Sequence, residues 1–553
     1  MEEMMPNAAE VMVKALENED VKYIFGIPGE ENIDFMEAVR NSNIQFILTR
    51  HEQGAGFMAD VYGRLTGKAG VCLATLGPGA TNLFTPVADA NLDRAPLVAI
   101  TGQSSTSQMH KESHQYIDIV SMFKPITKWN TRIGQADIVA EAVRKAFKTA
   151  EAEKPGATHL ELPEDVAEQE CQRPEYFEIR KVRRPAPDHK AVRMAMELIK
   201  NAERPLILAG NGTLRKRATK QLRKFLESTG IGICNTFMGK GAAGYKYDNN
   251  LFTIGLQSRD HVTFAFEEAD LIIAIGYDIV EYSPHFWNPD GKKRIIHIDF
   301  EQAEVDYWYH PEVEVIGDIA STLWELNEKI DDSFPKGKGE FIKKHRKNIL
   351  EDLSEHADST DFPVKPQKII HDIRAVLDNH DILISDVGAH KMWIARTYLA
   401  HEPNTCLISN GFATMGIALP GGIAAKLVYP DRKVMTVSGD GGFMMNAQEL
   451  ETAVRLKTPT VNMIWTDSTF GLIEWKQKNK YGHAFGTKFN NPDWVMFAES
   501  CGAVGMKVNK GDSLEKILNK AFSYDKPVVI DCPVDYSENV KLTERLGQLV
   551  CPM

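Results

Sequence analysis

Two aspartates 27 residues apart, Asp440 and Asp467, bracket a segment suited to holding an anion and a divalent cation together. The first lies in Gly439-Asp440-Gly441-Gly442, directly after the apolar run Val434 to Val437. A helix is predicted over Asn446 to Leu456. A second apolar strand, Val461 to Trp465, then leads to Asp467-Ser468-Thr469. Strand, turn, helix, loop and strand of this length make a βαβ unit. Parallel neighbours end at the same sheet edge, so both carboxylates are expected to converge there. Gly439, Gly441 and Gly442 let backbone N–H groups approach an anion at a helix start. Hard oxygen ligands beside phosphate oxygens suit Mg²⁺. A lone Gly-Asp-Gly is often only a turn; the second acid at βαβ distance raises this one above that.

Apolar strand-like runs alternate with helical patterns along all 553 residues, which predicts an α/β class with parallel sheets covered by helices. The chain is too long for one core. A Pro/Arg-rich stretch, 171–187, and a polar stretch between Pro335 and Pro366, with one short predicted helix, divide it. The expected domains are 1–180, 190–335 and 360–553. The outer two both carry Gly-rich turns after strands, which suits duplicated α/β units. In the middle piece, Leu206 to Gly212 and Asp270 to Gly276 each read as a strand and glycine turn. Neither completes GxGxxG, so a structural turn is favoured there over a dinucleotide site.

Composition narrows the function classes. A net charge of −12 argues against a nucleic-acid partner, and an anionic substrate must be drawn by local donors. No apolar run reaches the length of a membrane span. The acidic, helix-patterned start predicts neither signal nor transit peptide. Seven cysteines without a CxxC pair predict reduced thiols in a cytoplasmic protein.

Further chemistry-bearing groups follow predicted strands. Glu52 lies between the apolar run at Ile47 and a small-residue helix, where the helix dipole alone would also favour an acid. Gly77-Pro78-Gly79 follows another strand, and His114-Gln115 lies in a loop after the strand Pro96 to Thr101. Asp386-Val387-Gly388-Ala389-His390 opens a helix, and Asn410 to Pro420 carries Phe412, Ala413 and Met415.

Together these segments resemble thiamine diphosphate enzymes, from Gly26-Ile-Pro-Gly29 to Pro533-Val-Asp-Tyr536. The likeness is greatest to the fermentative, flavin-independent acetolactate synthases. It implies a pyrimidine-binding first domain, a Rossmann-like centre and a diphosphate- and Mg²⁺-binding third domain. It implies Asp440, Asp467 and the Thr469 carbonyl as metal ligands. Gly388, His390, Gly439, Gly441, Gly442 and Ser468 would bind the cofactor, with Met415 wedged beneath it. Glu52 would donate a proton to the aminopyrimidine ring. Gly77, His114, Gln115, Phe412, Ala413 and Phe470 would line the substrate pocket, with Gln115 where simple decarboxylases carry a His-His pair.

The sequence departs from this pattern in four places. Asp467-Ser468 replaces Asn-Asn, Ala389 replaces a glutamine, Phe412-Ala413 replaces polar residues, and Phe470 to Lys476 lacks the usual tyrosine and asparagine. Tyr277 to Tyr282 stands where flavin-binding relatives carry an arginine- and aspartate-rich block, so FAD is not expected. The implied reaction joins two pyruvates to 2-acetolactate with loss of CO₂. The apolar pair leaves open a decarboxylase or carboligase of bulkier 2-oxo acids. A site shared between subunits implies a homodimer at minimum and a homotetramer as the expected assembly.

Overall fold

Every strand pairing among the described strands is parallel, and the strands sort into three six-stranded sheets. The computed structural model describes residues 5–180, 184–215, 217–255 and 261–539. Part of the Pro/Arg-rich stretch, 181–183, and Cys551 lie outside these.

The first sheet contains β1 (Tyr23–Gly26), β2 (Gln45–Leu48), β3 (Gly70–Ala74), β4 (Leu97–Gln103), β5 (Trp129–Arg132) and β6 (Ala157–Pro163), in the order β2-β1-β3-β4-β6-β5. The second contains β7 (Pro205–Ala209), β8 (Gly232–Asn235), β9 (Asn250–Thr253), β10 (Leu271–Ile275), β11 (Arg294–Asp299) and β12 (Val313–Ile316), in the order β12-β11-β10-β7-β8-β9. The third contains β13 (Ile382–Ser385), β14 (Cys406–Ile408), β15 (Val434–Gly439), β16 (Val461–Thr466), β17 (Val504–Lys507) and β18 (Val528–Pro533), in the order β14-β13-β15-β16-β18-β17. Renumbered from its own first strand, the third order is identical to the first. That shared topology is what duplicated units would show.

The central strands β3, β7 and β10 are buried at every position, because helices cover both faces of a parallel sheet. The outer sheets also share a core: Phe57, Val61 and Leu83 pack in one cluster with Ile384, Ile423 and Val434. The helix Glu52–Thr66 crosses the helix Ala418–Val428 so closely that a Cβ at Gly421 would lie 2.8 Å from Val61. The predicted helix over Asn446 to Leu456 is shorter. A single turn, Asp440–Phe443, comes first, and the helix proper is Glu449–Arg455, because Asn446 bonds outward to Gln53 instead of capping a continuous helix.

The second sheet has the strand order of a dinucleotide-binding fold, with its switch point between β7 and β10. That crevice is filled by the chain itself. A Cβ at Gly212 would lie 2.6 Å from Gly276, and the Glu281 carboxylate accepts the Asn211 N–H at 3.1 Å, where a phosphate would dock.

Candidate active site

The carboxyl edge of the third sheet carries the aspartate pair. Asp440 opens its turn straight off β15 and is buried. Its Oδ2 accepts the backbone N–H groups of Asp467 at 3.1 Å and Ser468 at 2.7 Å, and the Asn491 amide at 2.7 Å. The 27-residue spacing thus brings both aspartates together, as neighbouring parallel strands dictate. Burial pushes the Asp467 carboxyl up to about 7, and the nearby Asp440 charge adds to the rise.

A cavity of about 190 Å³ opens over this edge. Gly439, Asp440, Gly441, Gly442, Asp467 and Thr469 line one side, Gly388 and His390 another, and Ala413, Met415, Phe470 and Tyr536 the rest. Gly441 is required here, since a Cβ would lie 2.7 Å from the Phe470 ring. Burial drives the His390 imidazole down to about 3, so it is neutral, and its Nε2 has no protein partner. Asp386 accepts the Gly416 N–H at 2.8 Å and so fixes the backbone beside Met415. The loop before Met415 is tied to the helix Gly77–Leu92 of the first domain: Ser409 and Thr414 each donate to Asp89 at 2.7 Å. Ala413 adopts a left-handed φ of 57°, and Phe412 is exposed.

Glu52, Gly77 and Gln115 lie elsewhere, at the carboxyl edge of the first sheet. Glu52 begins its helix, accepts from the Asn82 amide at 3.0 Å, and would sit 3.4 Å from a Cβ at Gly79. Gly77 has φ 45° and no room for a side chain, because a Cβ would meet the Gln115 carbonyl oxygen at 2.6 Å. His114 and Gln115 are exposed. None of these residues lines the cavity over Asp440. The predicted site residues therefore form two half-sites within one chain. Ser468 falls just behind the aspartate pair, with φ 58°.

Four contributors carried no role in the sequence reading: Asn82, Asp386, Asn491 and Tyr536. Asn491 lies beyond the βαβ unit, and only the fold brings it to Asp440. The signal for Asn82 was its place one turn into the helix after Gly-Pro-Gly.

The cavity suits a diphosphate cofactor with a cation. Gly439, Gly441 and Gly442 line it, an orphaned imidazole nitrogen belongs to its wall, and two close carboxylates repel each other until a cation separates them. Among the described residues no three His, Cys, Asp or Glu side chains converge as a metal site. A cation here would take its remaining oxygens from backbone carbonyls and phosphate.

Duplicated parallel sheets around a filled dinucleotide fold, with a glycine-and-aspartate cavity at one edge, define an α/β enzyme built around a diphosphate cofactor. The chain belongs to the thiamine pyrophosphate enzyme family: its N-terminal TPP binding domain matches residues 6–122, its central domain 192–326 and its C-terminal TPP binding domain 386–532. It is a thiamine diphosphate-dependent enzyme, similar along nearly its whole length to acetolactate synthases. It is 38% identical to the acetolactate synthase of Bacillus subtilis (strain 168), over 98% of this chain and 96% of that protein. It is 34% identical to the catabolic acetolactate synthase of Raoultella terrigena, over 99% and 98%. A probable acetolactate synthase large subunit of Methanococcus aeolicus is 35% identical over 97% and 93%. No helix among the described residues is long and apolar enough to cross a membrane.

Proposed function

We propose that the protein is an acetolactate synthase that decarboxylates pyruvate and joins the two-carbon unit to a second pyruvate, giving 2-acetolactate and CO₂. The observation that carries this reading is the cavity over Asp440 and Asp467, taken with near full-length likeness to proteins named for that activity. Domains 1–180, 190–335 and 360–553 are the proposed working units, in a cytoplasmic enzyme.

When bound, thiamine diphosphate supplies the electron sink for decarboxylation. Asp440, Asp467 and the Thr469 carbonyl would hold Mg²⁺, and the Gly439 to Gly442 turn would receive the diphosphate. Gly388, His390 and Ser468 would complete this binding wall, and Met415 would pack against the cofactor. Glu52 of the partner subunit holds a proton at its carboxyl for the aminopyrimidine nitrogen. Gln115, beside Gly77, can hydrogen-bond a 2-oxo acid but cannot relay a proton as a histidine pair would. That favours carbon–carbon bond formation over aldehyde release. Phe470 and its neighbours keep water out of the reacting centre.

Two half-sites in one chain support a homodimer, with a homotetramer as the expected assembly. Exposed apolar side chains around the two edges, including Ile33, Leu48 and Ile117 on one and Met444, Met445 and Ile473 on the other, support the same reading. The filled crevice at Glu281 supports independence from FAD. A second reading, a carboligase of bulkier 2-oxo acids, is favoured by Ala413 and the apolar wall at Phe470 and Ile473.

The test supplies purified enzyme with thiamine diphosphate, Mg²⁺ and a panel of 2-oxo acids, and quantifies acetolactate-type product against free aldehyde. Acetolactate is expected to dominate from pyruvate. Aldehyde as the main product would overturn the reading, and a higher kcat/KM for a longer 2-oxo acid would select the second.

A further inference from the structure

Glu449 is a fully buried acid. Two of its partners are donors at the start of another domain's helix, and one is in its own helix. Oε1 accepts the backbone N–H groups of Arg50 and His51, both at 3.0 Å, and Oε2 accepts the Thr452 hydroxyl at 2.7 Å. Burial pushes the carboxyl up to about 7. Backbone N–H groups before a helix are where an acceptor is wanted, and the dipole there favours negative charge. The contact is close enough to exclude a side chain: a Cβ at Gly54 would lie 2.6 Å from Glu449 Oε1. A second tie crosses the same junction, from the Asn446 amide to Gln53 Oε1 at 3.0 Å.

Glu52 lies between these tethered residues. The Arg50 and His51 N–H groups precede it and are held by Glu449, while the side chain of Gln53, which follows it, is held by Asn446. The backbone just before Glu52 is therefore held by the third domain of its own chain, the His51 Nδ1 caps the Gln53 N–H at 3.0 Å, and the Glu52 carboxyl is steered by Asn82. Asn446 and Glu449 both follow directly from the Asp440 turn. We propose that Glu449 is a positioning residue for Glu52, which ties the diphosphate half-site of a chain to the glutamate that this chain presents to the other site. The proposal rests on the reading of Glu52 given above.

The measurement is hydrogen–deuterium exchange at the thiazolium carbon of thiamine diphosphate bound to the enzyme with Mg²⁺, without substrate. Exchange reports cofactor activation separately from turnover, and cofactor Kd is measured alongside. Glu449→Ala is expected to slow exchange about ten- to hundredfold, the range for a misplaced catalytic group, while Kd moves by less than about threefold. Glu449→Gln keeps an oxygen for both N–H groups and is expected to exchange like the native enzyme. Adding Glu449→Ala to Glu52→Gln should slow exchange no further, since both act through one carboxyl. If Glu449→Ala does not fold, Glu449→Asp, shorter by one methylene, carries the same comparison. Additive slowing in the double variant, or equal damage from Gln and Ala, would overturn the proposal. Unchanged exchange in Glu52→Gln would instead sink the reading of Glu52 itself. Slowed exchange there, with native exchange in the Glu449 variants, would sink only the role of Glu449.

Discussion

The side-chain amide of Asn491 donates to the Asp440 carboxylate at 2.7 Å and reaches the Ser468 hydroxyl at 3.2 Å. One amide thus supports the aspartate that opens the glycine turn and the serine that departs from the family pattern. Ser468 also sits at φ 58°, a backbone region that asparagine tolerates better than serine. Removing the amide in Asn491→Ala is expected to weaken Mg²⁺-dependent thiamine diphosphate binding about tenfold, in line with loss of one hydrogen bond to a charged group. Ser468→Asn in that background should recover part of the loss, because it returns an amide and relaxes the backbone. Calorimetric titration of cofactor reads both effects, and unchanged affinity in Asn491→Ala would detach the residue from the site.

The aspartate pair itself predicts unequal consequences. Asp440→Ala removes both a proposed cation ligand and the acceptor for two backbone N–H groups, so cofactor retention should be lost. Asp467→Asn keeps an oxygen and removes a carboxyl whose ionisation burial and the Asp440 charge both oppose, so binding should survive. Cofactor content after gel filtration in Mg²⁺ distinguishes them. Wild-type retention by Asp440→Ala in excess EDTA would contradict the proposed arrangement.

Glu281 gives a pH-dependent stability. Burial pushes its carboxyl from 4.5 up to about 8, and the Asp278 charge adds to the rise. It also faces Thr236 and Asn211, while Arg94 and Lys154 are engaged with Asp278. The folded value lies above the unfolded one, so between them the native state binds a proton that the unfolded chain has released. Stability from this group is present at the acid end and is lost as pH rises through about 8. Glu281→Gln cannot ionise, so its Tm advantage over the native protein should grow steadily from mildly acidic to mildly alkaline pH. A pH-independent difference would place the titration elsewhere.

Much of this was legible in the chain because parallel sheets write themselves locally. Runs such as Val434 to Val437 and Ile382 to Ser385 are buried on both faces, and the glycine turns after them mark the sheet edge. The aspartate pair followed from one βαβ distance. Contacts between distant segments left no such trace. Asn491 meets Asp440 across 51 residues, and Glu449 meets Arg50 across 399. Nor could the pattern of Leu206 to Gly212 reveal that Glu281 fills its turn, since the strand order came out as a dinucleotide fold would have it. The helix over Asn446 to Leu456 was overextended because its apolar spacing persists through Asn446, whose amide is committed to Gln53 and Gly416.

Glu52 accepts from the neutral Asn82 amide at 3.0 Å and, among the described residues, hydrogen-bonds no ionisable side chain, which suits a group that must give and recover a proton. Glu52→Gln is expected to lower kcat by about 10²- to 10⁴-fold, the contribution of a general acid–base group. Cofactor affinity should change far less, since the cation and diphosphate are held in the other half-site. Near-native kcat in the variant would remove Glu52 from the chemistry.

The proposed acceptor pocket is the place where substrate choice should respond to a single residue. Phe412 is exposed at the mouth of the loop pinned by Asp89, and Ala413 beside it lines the cavity with a left-handed φ of 57°. An apolar pair there offers no hydrogen bond to the carboxylate or carbonyl of a small 2-oxo acid, but it gives an alkyl chain a surface to cover. Phe412→Gln restores a polar group without touching the backbone that Ser409 and Thr414 anchor. The ratio of kcat/KM for pyruvate to that for a 2-oxo acid longer by two methylenes should therefore rise, by roughly tenfold if about two methylene contacts are lost and one hydrogen bond is gained. Competition between the two substrates in one vessel, with products separated by chromatography, measures that ratio directly. A ratio that stays fixed while both rates fall would mean that Phe412 shapes the loop rather than the pocket, and that substrate choice lies with Ala413 and the Phe470 wall.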